Sequence, residues 1–373
     1  MVNPPKAGDR LNVLYLINYA GKAGTEKYVE NLIRLGRGKI NPFFAYNIDG
    51  ELSRKMSEAS VPSLQLEMSR RSLFTAAKKL AEFCRINSID VIHAQYPREN
   101  IVALISKRYY DKPRVVMTNH LTLRLSGLSG LVWQLLNRHF TPKNHRIIAV
   151  CNEGREIMIA NGVKPERIAV IFNGIEPAGT PVRSDAIRRE FMLPENCFVM
   201  TILARLAPEK GLSFLLDCLA ELKNKTDKPF VCLICGDGEL LDEIKCRITE
   251  LNLENECRLL GFRKDTREIL LGSDIYLCSS SRNEAMSFAI LEAMNAGLPL
   301  VVTDVGGNRD LAETGIKCGF VSMYGDTGAF SDNIRRFMDD PALRDGYAAA
   351  AVEKIERYFD LNKLADDVFA GYK

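Results

Sequence analysis

Short, wholly apolar runs alternate with amphipathic helical patterns along almost the whole chain, and this restricts the fold more than any other feature. In the first half, LNVLYLI, PFFAYNI, DVIHAQ, RVVMTNH, RIIAVC and IAVIFN have the unbroken apolar character of strands buried on both faces. Between them, TEKYVENLIRLG, SLFTAAKKLAEFC and CNEGREIMIANG predict helices. Strands alternating with helices require right-handed crossovers, and hence a parallel sheet covered on both sides. The pattern breaks once, at NGIEPAGTPVRSD (173–185), which has two prolines, no periodicity and the composition of a linker. It then restarts with CFVMTILARL, a helix over 211–223, PFVCLICG, a helix over 239–252, CRLLGF, a helix over 265–271, DIYLCS, a helix over 287–296 and LPLVVTD. Helical patterns continue from about 326. The expectation is an α/β chain of two doubly wound, Rossmann-like domains facing across a cleft, residues 1–176 and 177–360. Ligands of such sheets bind at the carboxyl ends of the strands, so residues just after each strand carry the search for a site.

Composition narrows the class. The 373 residues are 46% hydrophobic and 26% charged, ordinary values that exclude disorder and suit two domains. No apolar run approaches the roughly 18 residues of a membrane span, and the N-terminus MVNPPKAGDRLNVLYLI lacks a signal-peptide layout. The 10 cysteines are scattered and sit mostly in apolar runs. Cys232 and Cys235 lie in a strand-like VCLICG that points them to opposite faces, so neither disulfides nor zinc is expected and the compartment reads as reducing cytoplasm. The net charge of +3 conceals an asymmetry. Residues 1–175 hold 26 Lys and Arg against 14 Asp and Glu, a net of +12, and the remainder holds 24 against 33, a net of −9. A basic half suggests an anionic partner: nucleic acid, a membrane surface or a phosphorylated substrate.

Three stretches carry chemistry. In SSSRNEAMSFAILEAMNAGLP, Glu284 falls in the loop after a strand and Glu292 one to two turns into the next helix. The backbone N–H groups of Ala285, Met286, Ser287 and Phe288 would then offer donors to an oxygen-rich ligand. A capped amphipathic helix with exposed acids is the plainer alternative. In LARLAPEKG, Arg205 and Lys210 follow a strand directly and precede a helix, a clamp for a diphosphate; ordinary surface cations beside Glu209 are the alternative. In NYAGKAGTE, Gly21 and Gly24 would let backbone approach a phosphate, or simply make a turn. His120 ends the strand RVVMTNH, where a neutral imidazole could meet a sugar hydroxyl or phosphoryl oxygen. His93 reads as structural, and His139 and His145 as surface residues. G-x-G-x-x-G, P-loop, G-x-S-x-G and H-E-x-x-H patterns are absent from the sequence.

Taken in order, these residues resemble the retaining glycosyltransferases of family 4, which have the GT-B fold. The stretches that carry the resemblance are GTE after the first strand, VMTNH, RIIAVCNEGRE, RIAVIFNGIE, LARLAPEKG, ICGDGELLDE, LLGF, the Glu284–Glu292 element and LPLVVTDVGGNRDL. The resemblance implies that Arg205 and Lys210 bind the donor diphosphate, that Glu292 holds the ribose and that Glu284 lies by the donor sugar. It implies contact of His120 with the sugar or leaving phosphate, backbone donors at 285–288, and packing of Phe262, Arg263 and Lys264 against the base. It also implies a crossover helix, 361–373, that returns to the first domain. The chain departs from the family where Thr25 stands between Gly24 and Glu26, and where Ala-Met-Ser occupies 285–287.

The implied activity is retaining transfer of a hexosyl or N-acetylhexosaminyl group from a nucleotide sugar, UDP-linked, to a glycan or lipid-linked acceptor in polysaccharide or glycoconjugate biosynthesis. The cofactor expectation is none, with no metal. The residue chemistry agrees, because Arg205, Lys210 and helix dipoles can stabilise a departing diphosphate. Rival readings are a nucleotide-sugar epimerase, which needs acid and base groups beyond His120 and Glu284, and a non-catalytic nucleotide-sugar-binding partner subunit. Nucleic acid is not expected as a partner, since no stacking strand or recognition helix accompanies the basic half. Residues 124–146 suggest an anionic membrane surface instead. Leu128, Leu131, Val132, Leu135 and Leu136 form an apolar stripe, Trp133 lies beside it, Phe140 continues it, and Arg124, Arg138, Lys143 and Arg146 flank it. A core helix is the alternative. The location expected is cytoplasmic, peripheral at the inner face of the membrane.

Overall fold

The structure is a computed structural model that describes residues 10–69, 71–120, 122 and 127–373, without the side chains of 128, 129, 133 and 137. The chain divides into two compact units, Met1–Asn173 with Asn362–Lys373, and Gly174–Leu361.

The first unit runs β1 (Leu11–Tyr19), α1 (Gly24–Leu35), β2 (Ile40–Ile48), α2 (Glu51–Glu58), β3 (Ser63–Gln65), α3 (Leu73–Ile86), β4 (Val91–Ala94), α4 (Pro97–Ser106), β5 (Arg114–Asn119), α5 (Gly127–Phe140), β6 (Arg146–Ala149), α6 (Asn152–Ala160) and β7 (Ile168–Val170). The sheet order is β3-β2-β1-β4-β5-β6-β7 and every pairing is parallel. Central β1 has no exposed side, so Val13 to Ile17 are all buried and the sequence shows an apolar run with no alternation. Leu14, Leu16 and Ile92 pack on Ala77 and Leu80 of α3 and Val102 of α4.

The second unit runs α7 (Ala186–Glu190), β8 (Phe198–Leu203), α8 (Leu212–Lys223), β9 (Phe230–Cys235), α9 (Leu241–Glu250), β10 (Cys257–Gly261), α10 (Thr266–Leu271), β11 (Ile275–Cys278), α11 (Phe288–Asn295), β12 (Leu300–Thr303), α12 (Asn308–Ala312), β13 (Gly319–Ser322), α13 (Thr327–Asp339) and α14 (Pro341–Tyr358). Its sheet is β10-β9-β8-β11-β12-β13, again parallel throughout. Cys232 and Cys235 fall into two separate core clusters, as strand periodicity requires, and all 10 cysteines are free thiols.

A last helix, α15 (Leu361–Ala370), carries the chain into the first unit. Tyr372 beyond it is fully buried there. Its hydroxyl meets His93 Nδ1 at 2.7 Å and lies 3.3 Å from the Tyr15 hydroxyl. His93 Nε2 meets Thr118 Oγ1 at 2.7 Å, so both ring nitrogens are used inside the fold, which makes His93 structural.

The segment read as a linker is laid against the second unit. Ala178 N donates to Asn295 Oδ1 at 3.0 Å, Asn295 Nδ2 donates to the Glu176 carbonyl at 3.0 Å, and Arg183 pairs with Asp274 at 3.0 Å. Side chains therefore satisfy a backbone whose prolines keep it out of helix and sheet. Among the described residues no helix is long and apolar enough to cross a membrane.

Candidate functional site

The loops at the carboxyl ends of β8, β9, β11 and β12 lock together through glycines. At Gly236 (φ 144°) a Cβ would lie 1.8 Å from the Ala204 carbonyl oxygen, and Leu206 N donates to the Asp237 carbonyl at 3.0 Å. These contacts join the loops after β8 and β9. Gly211, at φ 62°, closes the turn Pro208–Lys210 and opens α8; a Cβ there would lie 2.1 Å from the Ser279 carbonyl oxygen. The Ser279 hydroxyl donates to the Lys210 carbonyl at 2.8 Å, which joins the loops after β8 and β11.

This framework brings together Lys210 and Glu284, two residues the sequence offered for different tasks. Lys210 Nζ donates to Glu284 Oε2 at 2.6 Å, and Ser280 Oγ donates to the same oxygen at 2.8 Å. Glu284 is 8% exposed. Burial pulls the Lys210 pKa down, but the adjacent carboxylate outweighs it and the pKa ends above the usual lysine value. The backbone of Glu284 is fixed from the loop after β12. Gly307 N donates to its carbonyl at 3.3 Å, and Gly306 approaches so closely that a Cβ would fall 1.2 Å from that oxygen. Asn283, at φ 58°, supplies the left-handed residue that turns Glu284 inward.

Arg205 is exposed just after β8, ahead of the turn Pro208–Lys210, and its guanidinium hydrogen-bonds Glu209. Glu292 is half-buried in the second turn of α11. That helix starts at Phe288, so Ala285, Met286 and Ser287 belong to the loop before it and only Phe288 contributes a helical N–H. Phe262 is 65% exposed after β10. Arg263 beside it is committed elsewhere, to Asp265 at 2.6 Å and Glu190 at 2.6 Å, and these carboxylates hold its pKa above the usual arginine range. It ties the β10–α10 loop to α7.

The remaining predicted residues lie in the first unit. Gly24 opens α1 and is exposed. Thr25, the departure from the family pattern, joins its hydroxyl to that of Tyr96 at 2.6 Å. His120 follows β5, its Nε2 3.1 Å from Gln95 Oε1 and its ring edge-on to Tyr28 at 4.9 Å. Burial pushes its pKa down to about 3, so the ring is neutral at pH 7. On α5, Leu131, Val132 and Leu135 are 54%, 54% and 58% exposed, a stripe that is not core. Phe140 does not continue it; it packs against the core beside α3 and α4, with Lys143 Nζ over its ring at 5.1 Å. Arg124 and the side chains of Leu128 and Trp133 lie outside the described residues.

Sequence reasoning missed Ser280, Asn283 and Gly306. They stand within quoted motifs, and contacts between loops distant in sequence are what reveal them.

Residues 183–354 match the family described as Glycosyl transferases group 1, and residues 23–178 match Glycosyltransferase Family 4. The chain is 30% identical over 319 residues to the UDP-Gal:alpha-D-GlcNAc-diphosphoundecaprenol alpha-1,3-galactosyltransferase of Escherichia coli, covering 83% of this chain and 81% of that protein. It is 26% identical over 363 residues to the N-acetylgalactosamine-N,N'-diacetylbacillosaminyl-diphospho-undecaprenol 4-alpha-N-acetylgalactosaminyltransferase of Campylobacter jejuni, covering 93% and 95%. Anabaena HepE in complex with UDP superposes with a TM-score of 0.83 at 22% identity over 96% of this chain and 98% of that one, a likeness of fold. The chain belongs to the family 4 glycosyltransferases and is a glycosyltransferase with the GT-B fold.

Proposed function

We propose that this glycosyltransferase moves a hexosyl or N-acetylhexosaminyl group from a UDP-linked donor to a lipid-linked glycan acceptor, with retention of anomeric configuration and without a metal ion. The observation that carries the reading is the Lys210–Glu284 pair, held by Ser280 and Gly306 at the strand ends of the second unit. Two relatives act, by name, on diphosphoundecaprenol-linked acceptors, one of them from UDP-Gal.

In this reading Arg205 leaves Glu209 and joins Lys210 on the donor diphosphate, and backbone N–H groups of 285–288 add further donors. Glu292 holds the ribose and Phe262 lies against the base, while Arg263 acts by fixing the loop that carries Phe262. Glu284 accepts from a hydroxyl of the donor sugar. The bond between the anomeric carbon and the phosphate oxygen breaks towards the cations. The acceptor hydroxyl attacks from the same face, and its proton passes to the leaving phosphate oxygen. Neutral His120 spends its Nε2–H on Gln95 Oε1, so its Nδ1 accepts from a hydroxyl of the sugar, and the backbone at Gly24 approaches the leaving phosphate. With the diphosphate charge met by protein cations, turnover in excess EDTA is expected to equal turnover with added Mg²⁺, and NMR of the product is expected to show the donor's anomeric configuration. An inverted product, or Mg²⁺-restored activity after chelation, contradicts this. A panel of nucleotide sugars with mass detection of the glycolipid identifies the donor.

A lipid-linked acceptor places the enzyme at the inner face of the membrane, and the exposed stripe of α5 supplies the contact. Peripheral anchoring follows from apolar side chains beside basic ones. The wild type is expected to co-sediment with anionic liposomes at low salt and to be released by salt. The Leu131→Ser/Leu135→Ser double variant is expected to stay largely in the supernatant; equal binding by both removes α5 from the contact.

A further inference from the structure

β4 and β5 are neighbours in the first sheet, so the residues that follow them, Gln95 and His120, leave its carboxyl edge side by side. Gln95 is fully buried, at 0% exposure. Its backbone N–H donates to the Leu16 carbonyl at 3.1 Å, which holds it to β1. A buried amide side chain must satisfy both of its ends. Here Nε2 donates to the His93 carbonyl at 3.1 Å, and Oε1 lies 3.1 Å from His120 Nε2.

The first of these bonds settles the second. The His93 carbonyl oxygen can only accept, so the nitrogen end of the amide faces it and the oxygen end faces the imidazole. That amide oxygen also only accepts, which requires a proton on His120 Nε2. In a neutral ring Nδ1 is then bare and is an acceptor. His120 is neutral at pH 7, since burial pushes its pKa down to about 3. The rings of Tyr28 and Tyr96 pack against the imidazole at 4.9 and 5.6 Å. Both are tied down, Tyr28 through its hydroxyl 3.3 Å from Thr118 Oγ1 and Tyr96 through its hydroxyl 2.6 Å from Thr25 Oγ1.

We propose that Gln95 is a positioning residue of the transferase, which fixes His120 as the Nε2–H tautomer and so keeps Nδ1 a hydrogen-bond acceptor for a hydroxyl of the donor sugar. This rests on the place given to His120 in the reading above. The tautomer matters because the sugar gains positive charge as its bond to the phosphate breaks. A hydroxyl that donates to Nδ1 leaves electron density on the sugar, whereas one that accepts from an Nδ1–H withdraws it. Without Gln95 the ring can carry its proton on either nitrogen, and the fraction with Nδ1–H opposes the reaction.

Two-bond ¹H–¹⁵N correlation spectra of the full-length, histidine-labelled protein show which ring nitrogen is protonated, and His120→Asn identifies the His120 signals. The wild type is expected to show the Nε2–H tautomer alone. Gln95→Met, close to it in shape, is expected to show a mixture and to lower kcat/KM on the order of tenfold, while UDP, which lacks the transferred sugar, binds within about twofold of wild type. In a His120→Asn background the same substitution is expected to cost less than about twofold, because a residue that acts through His120 has nothing left to act on. An Nδ1–H tautomer in the wild type overturns the assignment even if Gln95→Met does not fold. A tautomer unchanged in Gln95→Met, or an equal loss in both backgrounds, overturns it as well and leaves the donor reading intact. His120→Asn turning over at the wild-type rate removes the place given to His120 and this role of Gln95 with it. Failure of the wild type to bind UDP removes the nucleotide-sugar reading itself.

Discussion

Lys210→Ala is expected to lower turnover by a hundredfold to a thousandfold. A cation aimed at a charge that develops as the bond breaks supplies on the order of 3–4 kcal/mol, and each ~1.4 kcal/mol is a factor of ten in rate. The same substitution strips a buried carboxylate of its charged partner and leaves it Ser280, since Glu284 is 8% exposed and Lys210 Nζ sits 2.6 Å from it. Stability must therefore be measured beside rate. Arg205→Ala separates the two effects: its guanidinium is at the surface and bound to Glu209, so the fold loses little while the diphosphate loses a cation. A similar fall in kcat is expected there with an unchanged melting temperature. Glu284→Gln keeps the shape and removes the charge opposite Lys210, and is expected to be as severe as Lys210→Ala. The measurement is turnover with the donor that the nucleotide-sugar panel identifies, alongside circular dichroism. Near-normal rates in Lys210→Ala or Arg205→Ala would remove the clamp.

The second large effect is a loss of stability in acid. Burial pushes the pKa of His93 down from 6.5 to about 3. In the unfolded chain that imidazole takes a proton near pH 6.5, whereas in the fold it does so only near pH 3. The unfolded state therefore binds more protons throughout this window. The stability contributed is fully present above pH 6.5 and is lost as pH falls towards 3, by roughly 5 kcal/mol in all. That approaches the entire stability of many domains. Glu99 acts in the opposite sense. Its pKa is raised from 4.5 to about 7, so its contribution is present below pH 4.5 and is lost as pH rises through 7. Melting temperatures from pH 8 to pH 4 are expected to fall steeply on the acid side for the wild type and less steeply for His93→Gln, whose absolute stability is also lower. Parallel slopes for the two proteins would show that His93 is not the group responsible.

The two sheets were legible because their strands are buried on both faces and cannot alternate. β3, β13 and α4 were not, although the edge strands β7 and β10 were. β3 is three residues at an edge, β13 is four residues at the edge of the other sheet, and α4 is buried on so much of its surface that it shows no polar face. Residues 173–185 looked like a linker because proline and glycine erase periodicity whether a segment is loose or bound; the contacts to Asn295 and Asp274 bind it. The places of Arg205, Lys210 and Glu284 just after strands, and of Glu292 in the next helix, could be read from the sequence. The pairing of Lys210 with Glu284, 74 residues apart, could not, because it depends on two loops that only the sheet order brings together. The ion pair of Arg263 with Glu190, 73 residues upstream, was hidden for the same reason, while its place in a base-packing loop is what the family resemblance implies.

The Tyr372–His93 hydrogen bond also sets an order of events during synthesis. All seven strands of the first unit leave the ribosome before any of the second unit does, yet the residue that satisfies His93 comes after Leu361. At about 5–20 residues per second, the chain between Asn173 and Asn362 takes on the order of 10–40 s to make. Throughout that interval the first sheet holds a buried imidazole lacking one of its partners, together with the apolar surface that α15 and Tyr372 later cover. Folding of the first unit is thus completed only after the second has emerged, from the far end of the message.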